Sequence, residues 1–405
     1  MTRSERPPCR TQGDWQRWAA IRGQSYTIGV EEEVILLEVK SHALAQCAET
    51  VIDQLEPSLA QHLTPETHSG VLELKTGVHQ RVRDAAAELG ATRRELNRQL
   101  RPLGLCAASV GCYPLQAGEP IGISTSPRYQ AIEESMRALV HRAPTMALHV
   151  HVGVLDPEDA VLLLGRLSAV VPLLIALSAN SPVCEGRDGG FASERIAIFQ
   201  AYPRTGIARE FKSYDEYVAS IGTMIDAGAI PDPTFLWWDV RLNPAIGTVE
   251  VRAMDAQVAT ADSAAIVALI QCLARLSLEE GPLAPRPSPE VLAENRFLAA
   301  RDGLDALLID PERGELVPVC ETVELAVRRC RPHAAVLGCS VELERVLQLA
   351  ALGGAARQRR AMLRGGPAAL ARMLATTFEA DPYRPSAPRF TRPAPLEPGC
   401  LEVTV

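Results

Sequence analysis

The chain has 405 residues and a formal net charge of −8, with 47% hydrophobic and 22% charged residues. That balance supports a sizeable core and excludes a wholly disordered chain. An acidic total also argues against a nucleic-acid binder that relies on a broad basic surface.

At ~150 residues per domain, the length fits two or three domains or one large α/β unit. Only Lys40, Lys75 and Lys212 are lysines, and the other 38 basic residues are Arg, the coding bias of a GC-rich genome. The longest apolar stretch, Leu167 to Ala179, holds Pro172 and is shorter than the ~20 residues of a spanning helix. The first ten residues show no apolar run after their charges, so no signal peptide is expected. Ten cysteines without a C-x-x-C pair fit a reducing cytoplasm better than a disulfide framework.

Residues 1–24 read as a polar extension, with Trp15 and Trp18 as the side chains able to pack on the body. Tyr26 to Val39 reads as a strand after Gly23. Asp84 to Leu100 reads as an amphipathic helix, with Leu89, Leu96 and Leu100 near helical spacing. Leu105 to Gly111 is small and apolar, and a Pro/Gly-rich loop follows through Pro127. Arg128 to Arg142 reads as helix ended by Pro144, and Met146 to Leu155 as a strand. Ala160 to Ala179 reads as a mostly buried helix, interrupted or bent near Pro172. Residues 180–212 are loop-rich, and Tyr214 to Ala227 is helical. Phe235 to Leu242 and Gly247 to Met254 read as a hairpin, and Ala261 to Leu374 as mainly helical. Hairpin-like strands with helices between them predict an α+β protein with an antiparallel sheet. From 379, and densely from 384, a Pro-rich tail closes the chain as an extended strap or a disordered segment.

Four charged clusters fall on predicted strands. In Gly29-Val30-Glu31-Glu32-Glu33, alternation puts Glu31 and Glu33 on one face and Glu32 on the other. Carboxylates this close repel, and either solvent or a hard cation would relieve them. Glu66 and Glu73 flank Gly70, which allows a turn that would bring them together; an ion pair or plain surface charge is the simpler reading. His149 and His151 share a face as H-x-H, a compact pair for metal or phosphate oxygens, although exposed strand histidines need no ligand. Trp237, Asp239 and Arg241 share a face, as do Glu250 and Arg252. These supply either a cross-strand ion ladder or a clamp for phosphate or carboxylate. The loop from Asn180 to Gly190 adds glycines, charge and a flexible backbone. No G-x-x-x-x-G-K-[ST] and no G-x-G-x-x-G after a strand is present.

These segments together resemble the type 2 glutamate–cysteine ligase family of ATP-dependent carboxylate–amine ligases. The resemblance rests on YTIGVEEEVIL, TPETHSGVLELKTGVH, LHVHVGV, LSANSPVCEGRDGGFASERIAIF, PRTG, WWDVRLNPAIGTVEVRAMDAQ and ENRFLAARDGLDALLID, in order, with LQLAALGGAARQRR beyond them. It implies a glutamine-synthetase-like α+β fold over residues 25–378. A curved, mainly antiparallel sheet would carry helices on its convex side, with a helical part from about 261. It further implies ATP and Mg²⁺ or Mn²⁺ on the concave face. Glu31, Glu33, Glu73, His149 and Glu250 then stand as metal ligands, and Glu250, Arg241 and Arg252 as the catalytic set. Glu66, His151, Arg187, Arg195 and Arg252 stand as substrate contacts. The partners implied are a small carboxylate such as glutamate and a small amine such as cysteine, with no nucleic acid or membrane, and association as a homodimer. Ala147 departs from the Gly often found before Leu-His in the family. The same strands would also suit a ligase or phosphotransferase with other substrates, or a non-catalytic nucleotide-binding descendant.

Overall fold

The computed structural model describes residues 15–19 and 25–383. Most of the N-terminal extension and the Pro-rich tail from 384 lie outside the described residues.

Seven strands form one antiparallel sheet: β1 (Ile28–Glu38), β2 (Leu63–Pro65), β3 (Val71–Lys75), β4 (Leu105–Ala108), β5 (Ala147–Gly153), β6 (Val240–Asn243) and β7 (Thr248–Asp255). Their order is β6-β7-β5-β1-β3-β2, and β4 pairs with the second half of β1. β1 is the organiser, because Ile28 to Glu32 pair with β5 while Ile35 to Glu38 pair with β4. The α+β class expected from the alternation of segments is the class found.

One face of the sheet is covered by helices, chiefly α1 (Val82–Leu100), α2 (Pro157–Ala169) and α3 (Thr260–Glu279). Val30, Val150, Val152, Val249 and Val251 turn toward this layer and are buried, as period-two alternation requires. Among the described residues α3 is the one single helix long and apolar enough to cross a membrane, and it is almost wholly buried in this core.

Glu32 is the exception on the covered face. Its carboxylate receives Arg93 Nε at 2.7 Å and Nη2 at 2.5 Å, and Ser263 Oγ donates at 3.0 Å to its other oxygen. Arg93 also donates to the carbonyls of Gln257 and Val258 and stacks on Phe378. β1, α1, α3 and the C-terminal helix are thereby tied at one buried point.

Two expected elements differ. The helix expected to run to Arg142 spans Pro127–Met136, because Arg137 takes φ +54°. The buried helix is interrupted near Pro172 as expected, dividing into α2 and Val171–Ser178 with a bend of 56°; Pro172 sits in the first turn of the second piece, where a missing N–H costs nothing. The strand expected over Phe235 to Leu242 is interrupted at Asp239. Trp237–Trp238 instead pairs in parallel with Thr205–Gly206. The mainly helical part after 261 also contains a hairpin, Leu307–Asp310 with Glu315–Pro318.

Trp18 packs on the body as expected: Nε1 donates to the Val154 carbonyl at 2.9 Å, and its ring meets Tyr214 edge-on.

Candidate active site

The other face of the sheet holds the charges. Register places Glu31 opposite His149, Glu33 opposite Glu73, His151 opposite Glu250, and Glu250 opposite Arg241. The turn through Gly70 brings Glu66 back beside Glu33 and Glu73. Five carboxylates and two imidazoles from β1, β3, β5, β7 and one hairpin turn therefore share a single surface.

Three overlapping groups can each present ligand atoms to one ion: Glu31, Glu73 and His149; Glu31, His151 and Glu250; and Glu33, Glu66 and Glu73. His149 sits at the centre. Its Nδ1 is 3.5 Å from Glu31, 3.9 Å from Glu73 and 4.0 Å from Glu250, and its Nε2 is 3.8 Å from Glu33. His151 Nε2 lies 3.5 Å from Glu31 and 3.8 Å from Glu250, while its Nδ1 meets Thr248 Oγ1 at 3.0 Å. Nε2 of both imidazoles is buried without a hydrogen-bond partner among the described residues. The carboxylate oxygens fit hard divalent cations shared with phosphate oxygens, and the orphaned imidazole nitrogens beside them can complete a mixed donor set.

The electrostatics divide the site into two ends. At one end, burial opposes ionisation of Glu250, but Arg241 and Arg252 hold its carboxyl well below the usual range. Glu31 behaves likewise, with His149 and His151 outweighing burial. His151 is raised by Glu250 and Glu31 against burial. At the other end the carboxylates lack enough positive charge. Burial pushes Glu33 up to about 7 despite Arg195, and Glu73 adds to the rise. Glu66 goes well above its ordinary value through burial, Glu73 and Glu33. Glu73 also rises, through burial and Glu31, although Lys75 Nζ sits 2.8 Å away. His149 drops to about 3 through burial and the charge of Arg252. The second end is thus the one a cation or a substrate ammonium would stabilise most.

The arginines divide too. Arg241 is fully engaged: Nε meets Glu250 at 2.6 Å, and Nη1 donates to the carbonyls of Thr234 and Leu236. The expected Glu–Arg ladder therefore exists, and it lies inside the site. Arg252 also contacts Glu250 but keeps a buried Nε without a hydrogen-bond partner among the described residues. Arg195 donates to the carbonyls of Ala253 and Arg252, and its Nε likewise has no hydrogen-bond partner among the described residues. Both line a cavity of about 90 Å³ with Glu33, Glu66 and His149. Arg187 is not brought in: it is exposed in the hairpin Val183–Cys184/Arg187–Asp188 and does not line this cavity. Asp239 also leaves the expected face, binding Arg296 at 2.6 Å.

The Asn180 loop, expected to be flexible, is buried at its start. Asn180 Nδ2 donates to the Ala256 carbonyl at 2.7 Å, and Gln358 of Gly354–Phe378 donates to Asn180. A Cβ at Gly354 would lie 2.2 Å from Asn180 Oδ1, so that helix docks only with glycine there. Ser181 and Ser193 donate to Asp255 at 2.7 and 2.8 Å, fixing the end of β7.

An antiparallel sheet with carboxylates, imidazoles and guanidiniums on its open face is an arrangement for binding polyanions together with cations. Comparison with known proteins narrows this class. The family described as "Glutamate-cysteine ligase family 2(GCS2)" matches residues 27–373. A protein of Rubrobacter xylanophilus provisionally named glutamate–cysteine ligase 2-1 is 36% identical over 336 residues, 83% of this chain and 89% of its own. One from Rhodospirillum rubrum, provisionally named glutamate–cysteine ligase 2, is 34% identical over 80% of this chain and 85% of its own. The chain belongs to glutamate–cysteine ligase family 2. Among solved structures, the glutamate–cysteine ligase of Francisella tularensis in complex with AMP shares the fold, with a TM-score of 0.65, 12% identity, and coverage of 89% of this chain and 90% of that one. A bifunctional glutathione synthetase from Pasteurella multocida matches at a TM-score of 0.64 and 15% identity, covering 89% of this chain and 53% of that chain.

Proposed function

We propose that residues 25–378 form an ATP-dependent carboxylate–amine ligase that activates the γ-carboxylate of glutamate and joins it to cysteine or another small amine. The observation that carries this reading is the single open face on which Glu31, Glu33, Glu66, Glu73, His149, His151, Glu250 and Arg252 converge. Family membership and the AMP-bound structural neighbour support it.

A carboxylate is a poor acyl donor at neutral pH, so amide formation needs activation. Transfer of the γ-phosphoryl group to the substrate carboxylate gives an acyl phosphate, which the amine attacks with loss of phosphate. Mg²⁺ or Mn²⁺, held by Glu31, Glu33, Glu73, His149 and Glu250, would neutralise phosphate charge at this face. Arg252, which lines the cavity, stabilises the charge that develops on the transferring oxygens. Arg241 acts through Glu250, fixing its carboxylate from below. Arg195 faces the substrate carboxylate. Glu66, which lines the cavity and stands outside that ligand set, receives the proton of the incoming ammonium.

The test is ADP release by the purified chain with Mg²⁺-ATP, glutamate and hydroxylamine, which traps an acyl phosphate whatever the natural amine. Glutamate-dependent ADP and hydroxamate are expected, and Glu31→Gln, which takes the counter-charge from no arginine, should abolish both with the fold intact. ATP binding without turnover would move the reading to another carboxylate or to a nucleotide-binding descendant.

A further inference from the structure

Asp255, the last residue of β7, is a buried carboxylate that belongs to none of the ligand groups of the open face. Three uncharged donors hold it: Asn180 N–H and Ser181 Oγ reach Oδ2 at 2.8 and 2.7 Å, and Ser193 Oγ reaches Oδ1 at 2.8 Å. Gly111 leaves room for this network, since a Cβ there would lie 2.6 Å from Asp255 Oδ2. Among the described residues one cation comes within ion-pair reach, Arg195, whose Nη1 stands 4.0 Å from Oδ1.

Other buried pairs of this chain close further. Glu32–Arg93, Glu250–Arg241 and Asp239–Arg296 meet at 2.5, 2.6 and 2.6 Å. A guanidinium closed onto a carboxylate has its charge compensated at contact. One compensated across 4.0 Å keeps attraction to offer an incoming anion. Arg195 is instead held by neutral groups. Nη1 and Nη2 donate to the carbonyls of Ala253 and Arg252 at 3.2 and 3.1 Å, and the guanidinium lies over the Phe199 ring at 5.4 Å. Ser181 links the two residues: its Oγ receives the Arg195 amide N–H at 3.2 Å and donates to Asp255. Burial lowers the Arg195 guanidinium, and Asp255 is foremost among the charges that restore it. Burial raises the Asp255 carboxyl, and Arg195 is foremost in countering that rise.

We propose that Asp255 is a positioning residue of the site: fixed by Asn180, Ser181 and Ser193, it keeps the Arg195 guanidinium charged in the cavity lining without closing on it, so that Arg195 receives an anionic group of the carboxylate substrate. This rests on the ligase reading of the same site. A counter-ion needed for the fold alone would close to contact, as Glu32 does on Arg93.

The experiment measures hydroxamate formation with Mg²⁺-ATP, glutamate and hydroxylamine in the wild type, Asp255→Asn, Arg195→Gln and the double variant. Asparagine keeps an oxygen for Asn180 and Ser181 and an amide that can donate to Ser193 Oγ, so it removes the charge and little else. Asp255→Asn should raise KM for glutamate by about tenfold, the weight of one hydrogen bond to a charged group. Its kcat and its KM for ATP should stay within about twofold of the wild type. In the Arg195→Gln background the same change should move KM for glutamate by less than about twofold, because its effect runs through Arg195. Should Asp255→Asn not fold, the double variant, which removes both buried charges, still decides: it should fold and match Arg195→Gln. A further large rise in KM for glutamate over Arg195→Gln overturns the proposal, as does a loss in folded Asp255→Asn that falls on kcat and both substrates alike. With hydroxamate formed by the wild type, such a failure belongs to Asp255; a wild type that forms none overturns the ligase reading and this proposal with it.

Discussion

Glu33 on β1 and Glu73 on β3 stand directly opposite one another in the sheet, with Glu66 folded in beside them. Like charges at facing positions destabilise a strand pair, and here burial adds to the cost. The sheet holds its pairing across this repulsion because the hydrophobic side of the same strands is fully packed.

The cluster makes stability depend on pH and on cations together. Glu33 is raised to about 7 in the folded chain against an unfolded value of 4.5. A raised carboxyl contributes stability fully below pH 4.5, and that contribution is lost as pH rises through 7. Because the three carboxyls are coupled, they titrate as a group. Added Mg²⁺ or Mn²⁺ should raise Tm, and by more at pH 8 than at pH 5. Thermal melts at both pH values, with and without EDTA, check this. Equal shifts at the two pH values would contradict a cation bound by these carboxylates.

His68 gives the opposite sign at lower pH. Burial lowers it to about 4 from 6.5, and its Nε2 meets the Val140 carbonyl at 2.9 Å. A depressed imidazole contributes stability above pH 6.5 that is lost as pH falls through 4. A shift of this size corresponds to about 3 kcal/mol. Denaturant titrations from pH 7 to pH 4 should show the decline, and His68→Gln should flatten that part of the profile.

Adjacent glutamates should fail in different ways. Glu32→Gln leaves Arg93 buried without its counter-charge, which should destabilise the fold by about 3–5 kcal/mol. Glu31→Gln should leave Tm close to that of the wild type and abolish turnover. Urea unfolding alongside ADP release separates the two, and a matched loss of stability in both variants would show that the open face is structural.

The two arginines of the site should also separate. Arg252→Lys removes a group aimed at the reacting oxygens and should lower kcat by about 10²–10³. Arg241→Lys loosens Glu250 instead, so its main effect should be a higher concentration of Mg²⁺ for half-maximal rate.

Period-two alternation made the open face legible in the sequence: Glu31 with Glu33, His149 with His151, and Glu250 with Arg252 all emerge on the side expected of them. The same rule separates Glu32, but not its partner Arg93, which arrives from a helix 61 residues away. Local pattern failed where long-range contacts decide. Asp239 left the strand face for Arg296, and Arg187 went to an exposed hairpin. Met136 and Tyr202 lie outside every family phrase, and only the folded chain brings them to the lining of the cavity. Gly354 was visible as part of a family phrase, while its reason is the close approach of Asn180.

Glutamate carrying ¹⁸O in its γ-carboxylate tests the central claim most directly. Activation as an acyl phosphate transfers one carboxylate oxygen to the phosphate released, so the account predicts one ¹⁸O per inorganic phosphate, dependent on both glutamate and amine. Turnover that releases unlabelled phosphate would contradict it.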